Sequence, residues 1–272
     1  SEDDALTTAH APAAASPRPR LNIGQLTIDQ LTFPEAITAI GELVDAHQGG
    51  YVFAANVDHV VLAETNTRFR DAYAKATISV VDGMPIVWAS RMLDVSLPER
   101  IAGSDLILPL VKLGAERKWR IFLLGAGPGV AEKVGKQFQA QYPGIEVVGW
   151  DSPMVNLDAG DAQNDPIVAR IREKDPHLLF VALGSPKQEV WISQVAQKLG
   201  PTVAIGIGAG FDFIAGTAKR APEWIAKAGF EWLYRLTHEP KRLWRRYILN
   251  DSQFGVILLR ELWKRTRGSQ ES

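Results

Sequence analysis

The chain has 272 residues, 46% of them apolar and 22% charged, which excludes a disordered polymer and suits one large globular domain or a domain with an appendage. It has no cysteine, so disulfides, thiolate metal sites and a cysteine nucleophile are excluded. The net charge is −1, yet from Lys219 to Arg267 twelve Lys or Arg stand against five Asp or Glu, giving +7 there and −8 elsewhere. That asymmetry turns one end of the chain toward an anionic surface.

Residues 1–20 lack the basic start and apolar middle of a secretory signal and read as a disordered leader. A short strand pair (LNIGQLTID) and an amphipathic helix (PEAITAIGELVDAHQ) follow. YVFAAN is a buried strand that stops at Asn56–Asp58, with one helix predicted from there through Tyr73. ATISVVDG is a strand ending at Asp82–Gly83, and PIVWASRML and residues 104–118 are helices. Then come strand WRIFLLG, helix VAEKVGKQFQAQYP, strand IEVVGW, helix DPIVARIREKD, strand LLFVALGSP, helix KQEVWISQVAQKLG and strand PTVAIGIGAG. Continuous apolar strands alternating with helices predict an α/β fold, a parallel sheet covered on both faces. Residues 21–218 form this core. Residues 219–272 form a basic, aromatic appendage that Pro222 and Pro240 divide into two or three short helices. No run of about 18 apolar residues occurs, so no helix is predicted to span a bilayer.

Ligands of such sheets bind beyond the carboxyl ends of the strands. That rule selects Asn56–His59, Asp82–Met84, Gly125–Gly129, Gly184–Glu189 and the turn Gly208–Asp212. The glycines Gly125, Gly127 and Gly129 let backbone N–H groups and a helix start approach a phosphate; the alternative is a turn needed only for backbone geometry. Val130 replaces the last glycine of a dinucleotide fingerprint, but Glu146 stands near the position of a ribose-binding acid, so an NAD-type oxidoreductase remains a reading. Lys187 and Gln188 can hold a diphosphate or a sugar hydroxyl, against a plain helix start with Glu189 offsetting the dipole. Asp82 is placed for general-base work, although strand-end Asp-Gly is also an ordinary turn.

Asp58 and His59 compete with Asp82, and His59 facing the core is the structural alternative. Asp105 serves a helix start. No HExxH, histidine cluster or DxD occurs, so neither a metal nor a cofactor is expected. In the tail, Arg235, Arg242, Arg245 and Arg246 alternate with Trp232, Leu236, Leu243, Trp244 and Tyr247. Arginines can pair with phosphate while rings sit among lipid headgroups; a solvated basic helix packing its aromatics on the domain is the alternative. The acidic remainder argues against nucleic acid.

The runs NVDHVVLAETNTRFRDAYAKATISVVDGMPIVWASR, RIAGSDL, FLLGAGPGVAEK, FVALGSPKQEVWI, GIGAGFDFIAGTAKRAPEWI and GFEWLYRLTHEPKRLWRRY, in this order, resemble the WecG/TagA/CpsF glycosyltransferase family over most of residues 50–250. The resemblance implies a Rossmann-like core with a C-terminal appendage that completes the site at the membrane. It implies an inverting, metal-independent bacterial enzyme that moves a sugar from a UDP-sugar to a polyprenyl-diphosphate-linked acceptor in cell-surface polysaccharide synthesis. The enzyme would be peripheral on the inner face of the cytoplasmic membrane.

Carried over by motif, Asp82 is the base, Asn56 holds sugar or acceptor, and Gln188 and Asp212 contact the nucleotide-sugar beside Gly125–Gly129. Arg235, Arg242 and Arg245 meet diphosphate charge. Ala54 stands where members that transfer N-acetylmannosamine can carry Thr, which removes a hydroxyl contact with the donor; related enzymes transfer glucose or an N-acetylmannosaminuronic acid. From Phe230 the tail is expected to be a mobile lid, so that a chain cut after Gly229 still folds. A homo-oligomer, in which a neighbouring subunit supplies an appendage contact, is also expected as an option. A non-catalytic membrane-surface scaffold is a third reading.

Overall fold

A computed structural model describes residues 18–219, 222, 225 and 240–268. Strands β1 (Arg20–Ile23) and β2 (Leu26–Asp29) form an antiparallel hairpin, and six parallel strands form the main sheet: β3 (Gly50–Ala55), β4 (Ile78–Val81), β5 (Arg120–Gly125), β6 (Glu146–Asp151), β7 (Leu178–Ala182) and β8 (Val203–Gly206). The helices are α1 (Phe33–Asp45), α2 (Val57–Thr65), α3 (Thr67–Ala74), α4 (Met84–Met92), α5 (Gly103–Arg117), α6 (Val130–Gln141), α7 (Asp161–Glu173), α8 (Lys187–Val195), α9 (Gly210–Ala215) and α10 (Pro240–Gly268). The sheet order is β4-β3-β8-β7-β5-β6.

Strand side chains alternate between two cores, as a period of two requires. Tyr51, Phe53, Phe122, Leu124, Leu179 and Val181 pack beneath α2, α3, α4, α7 and α8. Val52, Ile121, Leu123, Phe180, Val203 and Ile205 pack beneath α1, α5, α6 and α9. Burial on both faces is why these strands read as unbroken apolar runs, and the predicted parallel sheet with helices on both faces is what forms. After β5 the chain crosses by α6 toward the β6 edge, whereas after β7 it crosses by α8 toward β8. The connections diverge between β5 and β7, so a crevice opens at their carboxyl ends.

Three local features differ from the sequence expectation. The helix predicted from Asn56 to Tyr73 is two helices, because the Asn66 side chain accepts the Phe69 N–H at 3.0 Å and so caps a new start. The ordered hairpin begins inside the expected leader: Arg20 donates to Asp29 at 2.8 Å, Arg18 donates to Thr77 O at 2.9 Å, and Asp29 accepts the edge N–H of Ser79 at 2.8 Å. Asp29 thereby covers the β4 edge, which would otherwise present an unpaired donor.

The third difference is α10, a single helix of 29 residues that starts at Pro240, where a fixed φ suits a first turn. Its second half is docked. Phe254 and Ile257 are buried in the same core as α2 and the hairpin, and Leu258 and Leu262 pack against it. Arg260 makes two bonds to the Glu64 carboxylate, at 2.9 and 2.7 Å, which hold that carboxyl below its usual range. Arg265 donates to Leu93 O at the end of α4. These residues belong to the core and not to a lid.

Candidate active site

β3 and β4 are neighbours in parallel register, so their carboxyl ends bring Asn56 and Asp82 together. The Asp82 N–H donates to Ala55 O at 2.6 Å, and a Cβ on Gly83 would lie 3.7 Å from the Asn56 Cα. Asn56 caps α2, its side-chain oxygen accepting the His59 N–H at 3.0 Å. The Ile101 N–H donates to Val81 O at 2.6 Å, extending the edge of β4 and carrying Arg100 alongside Asp82. Arg100 Nε then donates to Asp82 Oδ1 at 3.2 Å, with 16% of the arginine side chain and 29% of the aspartate side chain exposed. Arg100 was not singled out from the sequence, although its segment RIAGSDL carried part of the family resemblance.

The β5/β7 crevice is a cavity of about 350 Å³, lined by Ala126, Pro153–Val155, Ala182–Gly184, Lys187, Gly208, Ala209 and Asp212. It is three strand spacings from β4, roughly 14 Å along the same sheet edge. Gly125 has φ +101°, and a Cβ there would come 2.4 Å from Ala182 O, so only glycine fits. Gly129 caps α6 at φ +77°, and no side chain caps either α6 or α8. Backbone carbonyls take part of these starts, the Val130 N–H donating to Gly127 O at 3.1 Å and the Gln188 N–H to Gly184 O at 2.8 Å, in contrast to α1, α2 and α3, which the side chains of Thr32, Asn56 and Asn66 cap. Asp212 accepts from Thr217 Oγ1 at 2.9 Å while its residue lines the cavity.

Gln188 lies behind this wall. It is buried, its side-chain oxygen accepts the Gly208 N–H at 3.0 Å, and its nitrogen donates to Glu189 at 2.8 Å. His59 is also buried, with Nδ1 2.7 Å from the Tyr73 hydroxyl and its ring against Phe69. This is the core-facing alternative. Burial, with the charges of Glu189 and Asp82 nearby, pushes the Tyr73 hydroxyl well above its ordinary range, so it stays protonated.

Other predicted residues fall elsewhere. Glu146 opens β6, in register with Arg120 at the start of β5, so it stands at the opposite end of the sheet from Gly125 and cannot serve as a ribose acid there. The dinucleotide reading loses its acid for this reason. Asp151 occupies the carboxyl end of β6 instead and is ion-paired with Arg170 at 2.6 Å. Asp58 and Asp105 lie in the first turns of α2 and α5. Arg235 lies outside the described residues; for Arg242 and Arg245 only the helical backbone is described, their side chains lying outside. Among the described residues, no three of His, Asp and Glu converge in a metal-ligating group.

Fold and site define an α/β enzyme with a doubly wound sheet and its ligand edge at the strand carboxyl ends. The model of the Glycosyl transferase WecG/TagA/CpsF family matches residues 21–268, through α10. An N-acetylglucosaminyldiphosphoundecaprenol N-acetyl-beta-D-mannosaminyltransferase of Bacillus subtilis is 32% identical over 80% of this chain and 82% of its own length. The protein of that name from Bacillus spizizenii is 31% identical over the same shares, and one from Staphylococcus aureus is 32% identical over 72% of this chain and 74% of its own. The chain belongs to the WecG/TagA/CpsF glycosyltransferase family and is a glycosyltransferase.

Proposed function

We propose that this enzyme moves a sugar from a UDP-sugar to an N-acetylglucosaminyl-diphosphate polyprenyl acceptor, with inversion, in the synthesis of a cell-surface polysaccharide. The observation that carries this reading is the shared sheet edge. One part presents a cavity lined by Lys187 and Asp212 beside two helix starts without a side-chain cap, and the other presents Asp82 beside Asn56. The acceptor class follows the names of the relatives.

In this reading the nucleotide occupies the cavity and the sugar reaches over the end of β8 toward Asp82. Asp82 takes the proton of the acceptor hydroxyl as that oxygen attacks the anomeric carbon, and UDP departs from the opposite face. The leaving diphosphate gains positive partners from Lys187, the α6 and α8 N–H groups, and Arg235, Arg242 and Arg245 of the tail. These partners carry the stabilisation without a divalent ion.

The acceptor is a membrane lipid, and α10 supports attachment there. No helix among the described residues is long and apolar enough to cross a bilayer. Opposite its docked face, α10 exposes Val256 at 67%, Leu259 at 67% and Trp263 at 55%, with Arg267 stacked 3.8 Å over the Trp263 ring. That apolar stripe with basic neighbours suits a headgroup interface.

The test is UDP release from a panel of UDP-sugars, with and without N-acetylglucosaminyl-diphosphate polyprenol, repeated in EDTA. Acceptor-dependent release with one donor, undiminished by EDTA, is expected. Release indifferent to the acceptor, or none with any donor, overturns the proposal.

A further inference from the structure

Glu189 is only 1% exposed, yet it stands in the first turn of a helix that borders the cavity. One carboxylate oxygen accepts from Gln188 Nε2 at 2.8 Å, and the other is buried with no hydrogen-bond partner. Burying a carboxylate that is half satisfied costs stability, and an apolar residue in its place would avoid that cost. Its one bond is the key to its place here.

An amide can be inserted in two orientations that differ only in which end carries the donors. Glu189 offers an acceptor, so Gln188 must turn its NH2 that way, and its carbonyl oxygen then faces the Gly208 N–H at 3.0 Å. The reverse orientation would set oxygen against oxygen at Glu189 and N–H against N–H at Gly208, losing both bonds. Packing closes the remaining freedom: a Cβ on Gly206 would lie 3.0 Å from Gln188 Nε2, so the amide is pressed against the end of β8. Gly208 sits at φ +54° in the turn that sets Ala209 and Asp212 along the cavity wall.

We infer that Glu189 is a positioning residue for donor binding: by orienting the Gln188 amide it holds the Gly208 N–H, and with it the cavity wall that carries Asp212. The inference rests on the reading of the cavity as the donor site. Glu189 itself lines no part of the cavity; it acts through Gln188. A helix start with a dipole-offsetting acid does not account for this geometry, because the carboxylate is turned onto a side-chain amide and away from water.

Glu189→Gln tests it, since a second amide at this position pairs with Gln188 in either orientation. Two measurements are made on the full chain, with Gln188→Met as the partner variant in case Glu189→Gln does not fold. Without ligand, hydrogen exchange of the Gly208 amide should be faster by about tenfold or more in either variant, while amides of β5 stay protected. With UDP, the dissociation constant should rise about tenfold with kcat at saturating donor changed less than about threefold, and the double variant should be no weaker than Gln188→Met. Unchanged Gly208 exchange overturns the inference, as does faster exchange with unaltered UDP affinity. If the unmutated protein fails to bind UDP, the donor reading fails, and the Gly208 exchange alone decides whether Glu189 orients the turn.

Discussion

Arg100 and Asp82 form an ion pair at 3.2 Å that joins the end of β4 to the segment leading into α5. The carboxylate proposed as the base is therefore held by a cation from a different element. Asp82→Asn keeps the shape and the capacity to be held but cannot take a proton. Turnover should fall about 10²–10⁴-fold, the usual worth of general-base assistance, with UDP affinity within about threefold of the unmutated protein. Near-normal turnover would remove Asp82 from the mechanism. Arg100→Gln should lower kcat by a smaller factor, about tenfold, again without weakening UDP.

The glycine loop separates a phosphate cradle from a turn needed only for backbone geometry. A Cβ at Gly125 meets Ala182 O at 2.4 Å, so Gly125→Ala should destabilise the fold. A Cβ at Gly127 meets nothing nearer than Val130 Cγ2 at 3.8 Å. Gly127→Ala should therefore leave the melting temperature unchanged, and calorimetry then reads its effect on UDP directly. Weaker UDP binding supports the cradle; equal binding assigns the loop to geometry.

Truncation after Gly229 removes Phe254 and Ile257 from the core and strips Glu64 of its arginine. Burial of two such side chains is worth about 1.5–3 kcal/mol each, a large part of the stability of an ordinary domain. The truncated chain is expected to unfold or to melt far below the full chain, contrary to a detachable lid. The milder Ile257→Ala should cost about 2–5 kcal/mol in denaturant unfolding. A truncated chain that melts with the full one would show that α10 adds nothing to the fold.

The exposed stripe of the same helix predicts a separate effect. Trp263→Ser together with Leu259→Ser should leave the melting temperature within a few degrees and weaken sedimentation with anionic phospholipid vesicles by about tenfold. Equal vesicle binding would take the described half of α10 out of the membrane contact.

His177 sets a pH dependence. Its Nδ1 accepts the Arg120 N–H at 2.9 Å, and burial, followed by the charges of Arg120 and His47, holds its pKa below the usual 6.5. The folded state thus favours the neutral ring. Its contribution is fully present above pH 6.5 and is lost as pH falls below that through the folded-state value. Denaturation midpoints should drop from pH 7.5 to pH 5.5 more steeply than in His177→Asn, which keeps an acceptor but does not titrate.

Most strands were legible because a strand buried on both faces leaves an unbroken apolar run, and the loops at their carboxyl ends were legible because topology puts ligands there. Asn56, Asp82, Lys187 and Asp212 were placed at this edge in that way, and they stand there in the fold. Arg100 was not, since its place depends on the Ile101–Val81 bond to a strand twenty residues earlier in the chain. Glu189 read as a helix-start acid, because nothing local shows that Gln188 turns back onto it. Glu146 was placed by spacing, and register put it at the far end of β6.

The basic, aromatic tail was visible as composition, but which of its faces is buried was not. Composition and periodicity report how wet each residue is within its own element. They determined a parallel α/β sheet, its ligand edge and the charge of its C-terminal segment. Contacts between elements distant in sequence cost chain entropy to form and leave no local period. Only the tertiary structure decided that Arg100 meets Asp82, that Glu189 holds Gln188, and that α10 closes the core through Phe254, Ile257 and Arg260.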